Sequence, residues 1–154
     1  MKPMNLRSTI AALLAILTSA VLSSFAPAPG GYSYEVYINN QLVMKEHLHG
    51  RTEVPSLPLQ LATAHDELAI MFNNCNKVDA ARKISLKDER DVVLKQWAFK
   101  DSPDIKNKMN IKVSEIAAFR DKHSTAKLVY SSQDIDTGVH VINIQLSDAT
   151  ALKK

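Results

Sequence analysis

The sequence predicts an all-β domain, an antiparallel β-sandwich of Ig-like or jelly-roll-like kind with about eight strands, behind a cleaved N-terminal signal peptide. Three observations carry this reading. From Tyr32 onward, apolar residues alternate with polar ones far more often than they recur at the helical period. Turn-forming residues interrupt the alternation at intervals of about ten residues. Between the strand candidates there are none of the longer helical patterns that parallel βαβ units require. A closed barrel is compatible with the same pattern.

Residues 1–23 read as the signal peptide. Lys2 and Arg7 give a positive start, Ile10 to Leu22 is apolar apart from Thr18 and Ser19, and small residues follow. The apolar stretch is about a dozen residues, short of the roughly 20 that a helix needs to cross a bilayer. Cleavage is expected after Ser23 or Ser24, because Pro27 and Pro29 disfavour cutting after Ala26 or Ala28. No cysteine stands where a lipoprotein anchor would need one, since the single cysteine is Cys75. Export to a periplasm or to the outside of the cell follows as the expectation.

Residues 24–31 form a leader around APAPGG, residues 32–148 a single sandwich domain, and residues 149–154 a frayed tail. With one cysteine, the domain has no intramolecular disulfide and must be stable through its core alone. Removing the 2 signal-peptide cations from 19 basic residues leaves 17 against 16 acidic ones, a net charge of +1. Nucleic-acid binding, which needs concentrated positive charge, gains no support.

Within the domain, Tyr32, Tyr34, Val36 and Ile38 alternate up to Asn39-Asn40, which accept positive φ, and Leu42 and Met44 resume beyond them as a hairpin. Further strands are expected at Leu57 to Leu61, Glu67 to Phe72, Ala81 to Lys87 and Val92 to Phe99, with KDERD (Lys87 to Asp91) as an exposed turn. Asp101 to Asp104 contains a proline and reads as a turn. Met109, Ile111 and Val113 give another strand, Ser114 to Arg120 a short helix capped by Ser114, and Ala126, Leu128 and Tyr130 the next strand. Val139 to Leu146 closes the domain, with His140, Ile142, Ile144 and Leu146 assigned to one face.

Four groups of residues are candidates for chemistry. His47 and His49 would project from one face of a strand and chelate a divalent transition metal with His65 or Asp66, or else stand solvated at the end of the hairpin. Asp134 and Asp136 before Gly138 resemble the start of a calcium loop, but Gly138 sits one place early and the third acidic ligand and the later glutamate are missing; a connection before a strand, with Gly138 supplying the unusual φ, explains them with less. Cys75, among Asn73, Asn74 and Asn76, is a candidate for an interchain disulfide rather than for catalysis. Tyr32, Tyr34 and Tyr37 are better placed for exposure, and hence for glycan stacking, than Trp97, which alternates with Val93, Lys95 and Phe99 toward a core.

No G-x-S-x-G, G-x-x-x-x-G-K or H-E-x-x-H motif occurs, so hydrolase, nucleotide and zinc-protease readings have no motif to rest on. The expected role is that of an exported noncatalytic module that binds a protein partner or itself, with no cofactor. A metal-binding or glycan-binding protein is the alternative.

Overall fold

The structure is a computed structural model and describes residues 31–59, 65–75, 77–104 and 106–146. The signal peptide, all of the leader but Gly31, and the tail lie outside the described residues. Those described form nine strands and one short helix: β1 Ser33–Ile38, β2 Gln41–His47, β3 Ser56–Pro58, β4 Glu67–Asn73, β5 Lys83–Lys87, β6 Val93–Ala98, β7 Met109–Lys112, α1 Val113–Ala117, β8 Thr125–Ser132 and β9 Ile135–Gln145. They make a four-stranded sheet in the order β2-β1-β4-β7 and a five-stranded sheet in the order β3-β9-β8-β5-β6, a sandwich-like all-β architecture.

Alternation decides which residues enter the layer between the sheets. In the four-stranded sheet, Val36 pairs with Met44 and Ile70, Ile70 with Met109, and Leu68 with Ile38 and Ile111. Val36, Leu68, Ile70, Met109 and Ile111 are all buried. In the five-stranded sheet, Leu86 pairs with Leu128 and Leu128 with Ile142, again all buried. Phe72 on β4 stacks on Tyr130 on β8 at 4.0 Å between ring centroids, so the two sheets meet directly through aromatic rings.

The connections use local chemistry. Asn39 (φ 49) and Asn40 (φ 69) are both left-handed, which makes the β1–β2 loop the two-residue primed turn that matches strand twist. At the β5–β6 turn, the Asp88 carboxylate accepts the backbone N–H of Arg90 at 2.9 Å and of Val92 at 2.8 Å. The bond from Val92, then that from Arg90, holds the Asp88 carboxyl below the usual carboxylate range despite burial. KDERD is therefore a turn, but its Asp88 is buried as the turn's own cap rather than exposed.

Arg51 closes one end of the sandwich. From the segment between β2 and β3, its guanidinium donates to the Tyr34 hydroxyl at 3.2 Å and to the carbonyls of Val141 at 3.1 Å and His140 at 2.6 Å, joining β1 to β9. The carbonyl of Pro55 then accepts the Asn143 N–H at 2.9 Å, and β3 runs parallel to β9. This pair is the exception to an otherwise antiparallel arrangement, and the chain reaches it by crossing from one sheet to the other.

Several expectations are corrected. Of the strand expected at Leu57 to Leu61, residues 60 and 61 lie outside the described residues and the described strand is Ser56–Pro58; Ala81, with φ 54, keeps β5 from starting before Lys83. Val113 belongs to α1, whose N-cap is Lys112 with no side-chain cap bond, so Ser114 does not cap it. Tyr34 is buried, because its ring faces inward with Val36 and its hydroxyl meets Arg51. The last strand starts at Ile135, and a register shift opposite Leu128 and Val129 makes Val141 the extra residue. His140 pairs with Val129 and leaves the face of Ile142 and Ile144, while Val139 and Val141 turn toward the core.

Gly138 sits inside β9 near this irregularity rather than in a connection before it, with φ 77. A Cβ there would meet Val129 Cγ1 at 2.8 Å. Gly138→Ala is expected to reduce the unfolding free energy by ~1–3 kcal/mol, read from urea denaturation. Gly50 shares the positive φ but a Cβ on it meets nothing within 4 Å, so Gly50→Ala isolates the backbone contribution. Equal losses at both glycines would remove the steric part of this account.

Candidate functional site

The histidines singled out in the sequence do not converge. His47 is the last residue of β2 and pairs with Ser33 at the start of β1, and His49 packs its Cβ against Gly31. Asp66 lies at the opposite end of β1, where its carboxylate accepts from Asn39 Nδ2 at 2.7 Å and its carbonyl accepts the Val113 N–H at 3.0 Å. The six residues of β1 separate the two ends by about 20 Å. His65, exposed and adjacent to Asp66 in sequence, stands at that far end. Among the described residues no group of three or more His, Cys, Asp or Glu side chains is placed to hold a metal ion.

Asp134 is in the two-residue turn between β8 and β9, and Asp136 follows on β9; both are exposed. The turn is closed by pairing of Ser132 with Ile135 and by the Gln133 N–H donating to the Ala80 carbonyl at 2.9 Å. Cys75 is exposed at φ 50, just beyond β4. Trp97 is half-buried against the core, and its indole N–H donates to Glu115 on α1 at 2.7 Å. Lys95 pairs with the same carboxylate at 2.6 Å. The bond from Lys95, then that from Trp97, lowers the Glu115 pKa.

Sequence reasoning did not find the buried polar cluster at one end of the sandwich. The Asp79 carboxylate accepts from Asn74 Nδ2 at 2.7 Å and from the Tyr130 hydroxyl at 2.5 Å, with all three residues buried. Burial first, and the bond to Asp79 second, push the Tyr130 hydroxyl well above its ordinary pKa. Nearby Arg82 donates to the carbonyls of Asn107 and Lys100, each at 3.0 Å, and anchors the loop between β6 and β7. The inward alternation of Tyr130 with Ala126 and Leu128 was the available signal, since a buried phenol requires a polar partner. The cluster fastens loops: Asn74, Asp79 and Tyr130 bond to one another, while the buried Arg82 Nε has no hydrogen-bond partner among the described residues.

Three surface features remain open to ligands or partners. One is β2, an edge strand that begins with Gln41, Leu42 and Val43 exposed. Another is a groove of about 480 Å³ on the outer face of the four-stranded sheet, bordered by Lys45, Lys106 and Lys108 and floored in part by Tyr37 and Met71. A smaller cleft of about 260 Å³ lies between the β5–β6 turn and the start of β8, lined by polar and charged side chains including Asp88, Arg90 and His123. Tyr37 is not a bare stacking platform, because the Lys108 ammonium sits 3.6 Å from its ring centroid.

Two measurements test the electrostatic account. Tyr130→Phe leaves the buried Asp79 carboxylate short of a donor and is expected to cost ~1–3 kcal/mol of stability by urea denaturation. Tyr37→Phe, whose hydroxyl bonds Glu35 near the surface, is expected to cost less than ~1 kcal/mol. His140 supplies a pH effect. Burial, then the charges of Lys127 and Arg51, holds its imidazole below the usual pKa. The folded protein thus binds fewer protons there than the unfolded chain, and that stability is present above about pH 6.5 and lost as pH falls below it. Denaturation midpoints at about pH 7.5 and about pH 5 are expected to differ less in His140→Gln than in the unaltered protein. An identical difference in both would remove His140 from the account.

No protein-family model, curated protein or solved structure matches this chain.

Proposed function

We propose that this chain is an exported, noncatalytic sandwich module of the Ig-like kind, acting in the cell envelope or outside the cell by binding a protein partner along β2. Strand order supports the Ig-like assignment. The succession β9-β8-β5-β6, with β3 parallel to the last strand, resembles the G-F-C-C′ side of such domains, and β1-β4-β7 resembles the opposing A-B-E side. The composition of residues 1–23 supports export.

The observation that carries the binding role is the exposed edge of β2. An edge strand presents unpaired backbone donors and acceptors, and a partner strand that joins it gains a ladder of hydrogen bonds. Leu42 is 48% exposed and Val43 44%, so the same edge offers aliphatic surface to bury. The register shift at Val43 and the charge of Lys45 oppose pairing with arbitrary strands, which favours a particular partner over aggregation.

Native mass spectrometry of the protein recovered from its exported fraction, without chelator or reductant, tests this reading. The expected species is a chain beginning at Ser24 or Phe25, in complex with a partner protein or a second copy. Leu42→Asp with Val43→Asp is expected to abolish the complex while shifting stability by no more than ~1 kcal/mol, since both side chains are at the surface. A bare monomer, or a complex that survives the double substitution, would overturn it. A chain carrying a stoichiometric metal would instead favour the histidine reading.

A further inference from the structure

The outer face of the four-stranded sheet carries a second recognition surface, independent of the β2 edge proposal. Across this face, Lys45 on β2 pairs with Glu35 on β1, and Glu35 pairs with Met71 on β4. Extending the β4–β7 register by one residue beyond the Ile70–Met109 pair brings Lys108 opposite Met71. A row thus forms with cations at both ends, a carboxylate, and an apolar thioether inside it. Tyr37, Asn73 and Lys106 complete the groove of about 480 Å³, a size within the range of small-molecule sites, about 300–1,000 Å³.

Its charges are unequally matched. The lining holds three lysines and one carboxylate. Glu35 is already engaged by the Lys45 ammonium at 2.7 Å and by the Tyr37 hydroxyl. The bond to Lys45, then that to Tyr37, holds its carboxyl below the ordinary range, so it stays anionic and spent on Lys45. Two positive charges are left. Lys108 is held in place by the face of Tyr37 and by the Asn40 side-chain oxygen at 2.7 Å, both uncharged, and an ammonium has three donors. The Lys106 ammonium has no partner among the described residues; only its backbone N–H is used, by Asp104.

We propose that this groove binds a small organic carboxylate, its anionic end between Lys106 and Lys108 and its apolar body against Met71 and Tyr37. Preorganisation supports an anion over a cation: Lys108 is ordered by Tyr37 and Asn40, and the Glu35 carboxylate, bonded to Lys45 and Tyr37, acts on it only through its charge. The apolar floor supports a ligand with a hydrocarbon part over a bare inorganic anion, which would leave Met71 and the Tyr37 edge uncovered.

Amide-resolved NMR titration of the exported protein with hexanoate, at low ionic strength, tests the assignment. Hexylammonium and inorganic phosphate serve as comparisons. Hexanoate is expected to shift amides around Tyr37, Met71 and Lys108 with a Kd on the order of 1 mM, the strength available to so small a ligand. Hexylammonium is expected not to bind and phosphate to bind more weakly than hexanoate. Lys106→Glu, at an exposed position with no partner to lose, is expected to raise the hexanoate Kd about tenfold or more. Equal binding of hexylammonium, phosphate at least as tight as hexanoate, shifts centred elsewhere, or an unchanged Kd in Lys106→Glu would each overturn the proposal.

Discussion

Two sheets must stay face to face across an apolar layer without any covalent link, and the rest of the molecule is organised by that requirement. Val36, Ile70, Ile84, Leu86, Leu128, Ile142 and their neighbours are essentially inaccessible to water, and full burial of such side chains stabilises by ~1.5–3 kcal/mol each before conformational entropy is counted. The hydrophobic term is non-directional. It brings the sheets together but does not by itself fix how they are offset or how the layer is closed at its ends. Directional bonds do that. Arg51 joins Tyr34 on β1 to two carbonyls of β9, and Asp79 joins Tyr130 on β8 to the loop after β4. Each uses a buried tyrosine whose ring belongs to the core and whose hydroxyl belongs to the clamp.

That division explains where the sequence was legible. Alternation is a local property, and Tyr34, Val36, Leu68, Ile70, Ile84, Leu86, Leu128 and Ile142 could be assigned to strands because the period is two over several residues. The Asn39-Asn40 turn was equally readable, since both residues tolerate the left-handed backbone that the hairpin needs. The clamps were not. Arg51 meets carbonyls about 90 residues away along the chain, and Tyr130 meets a carboxylate 51 residues away. No local pattern encodes such partners, so Tyr34 looked available for solvent and Asp79 drew no notice.

Register irregularities were invisible for a related reason. An extra residue in one strand leaves composition unchanged but exchanges the faces of everything beyond it. At β9 this places His140 opposite Val129 and brings Val139 and Val141 inward, against the simple alternation of His140 with Ile142 and Ile144. The candidate metal site failed to form through the same kind of long-range fact. His47 and Asp66 are near in sequence, but β3 in the other sheet lies between them and they stand at opposite ends of β1.

The placement of the two proposed recognition surfaces follows from what the fold consumes. Inward side chains are committed to the core and the end loops to their clamps, which leaves outer faces and edges as the positions whose chemistry is not dictated by stability. On the four-stranded sheet, the outward residues Glu35, Tyr37 and Lys45 bond to one another across β1 and β2. That mutual pairing holds the sheet surface in one arrangement without exhausting its positive charge, because Lys106 and Lys108 enter from the segment before β7 and not from the paired strands. The cations not paired with Glu35 thus come from the segment before β7, whereas the open edge belongs to β2. A substitution at Lys106 changes the charge of the groove without touching the hydrogen-bonding edge, and one at Val43 alters the edge without touching the charge. If both proposals hold, this separation lets a single sheet serve an anion on its face and a strand on its side.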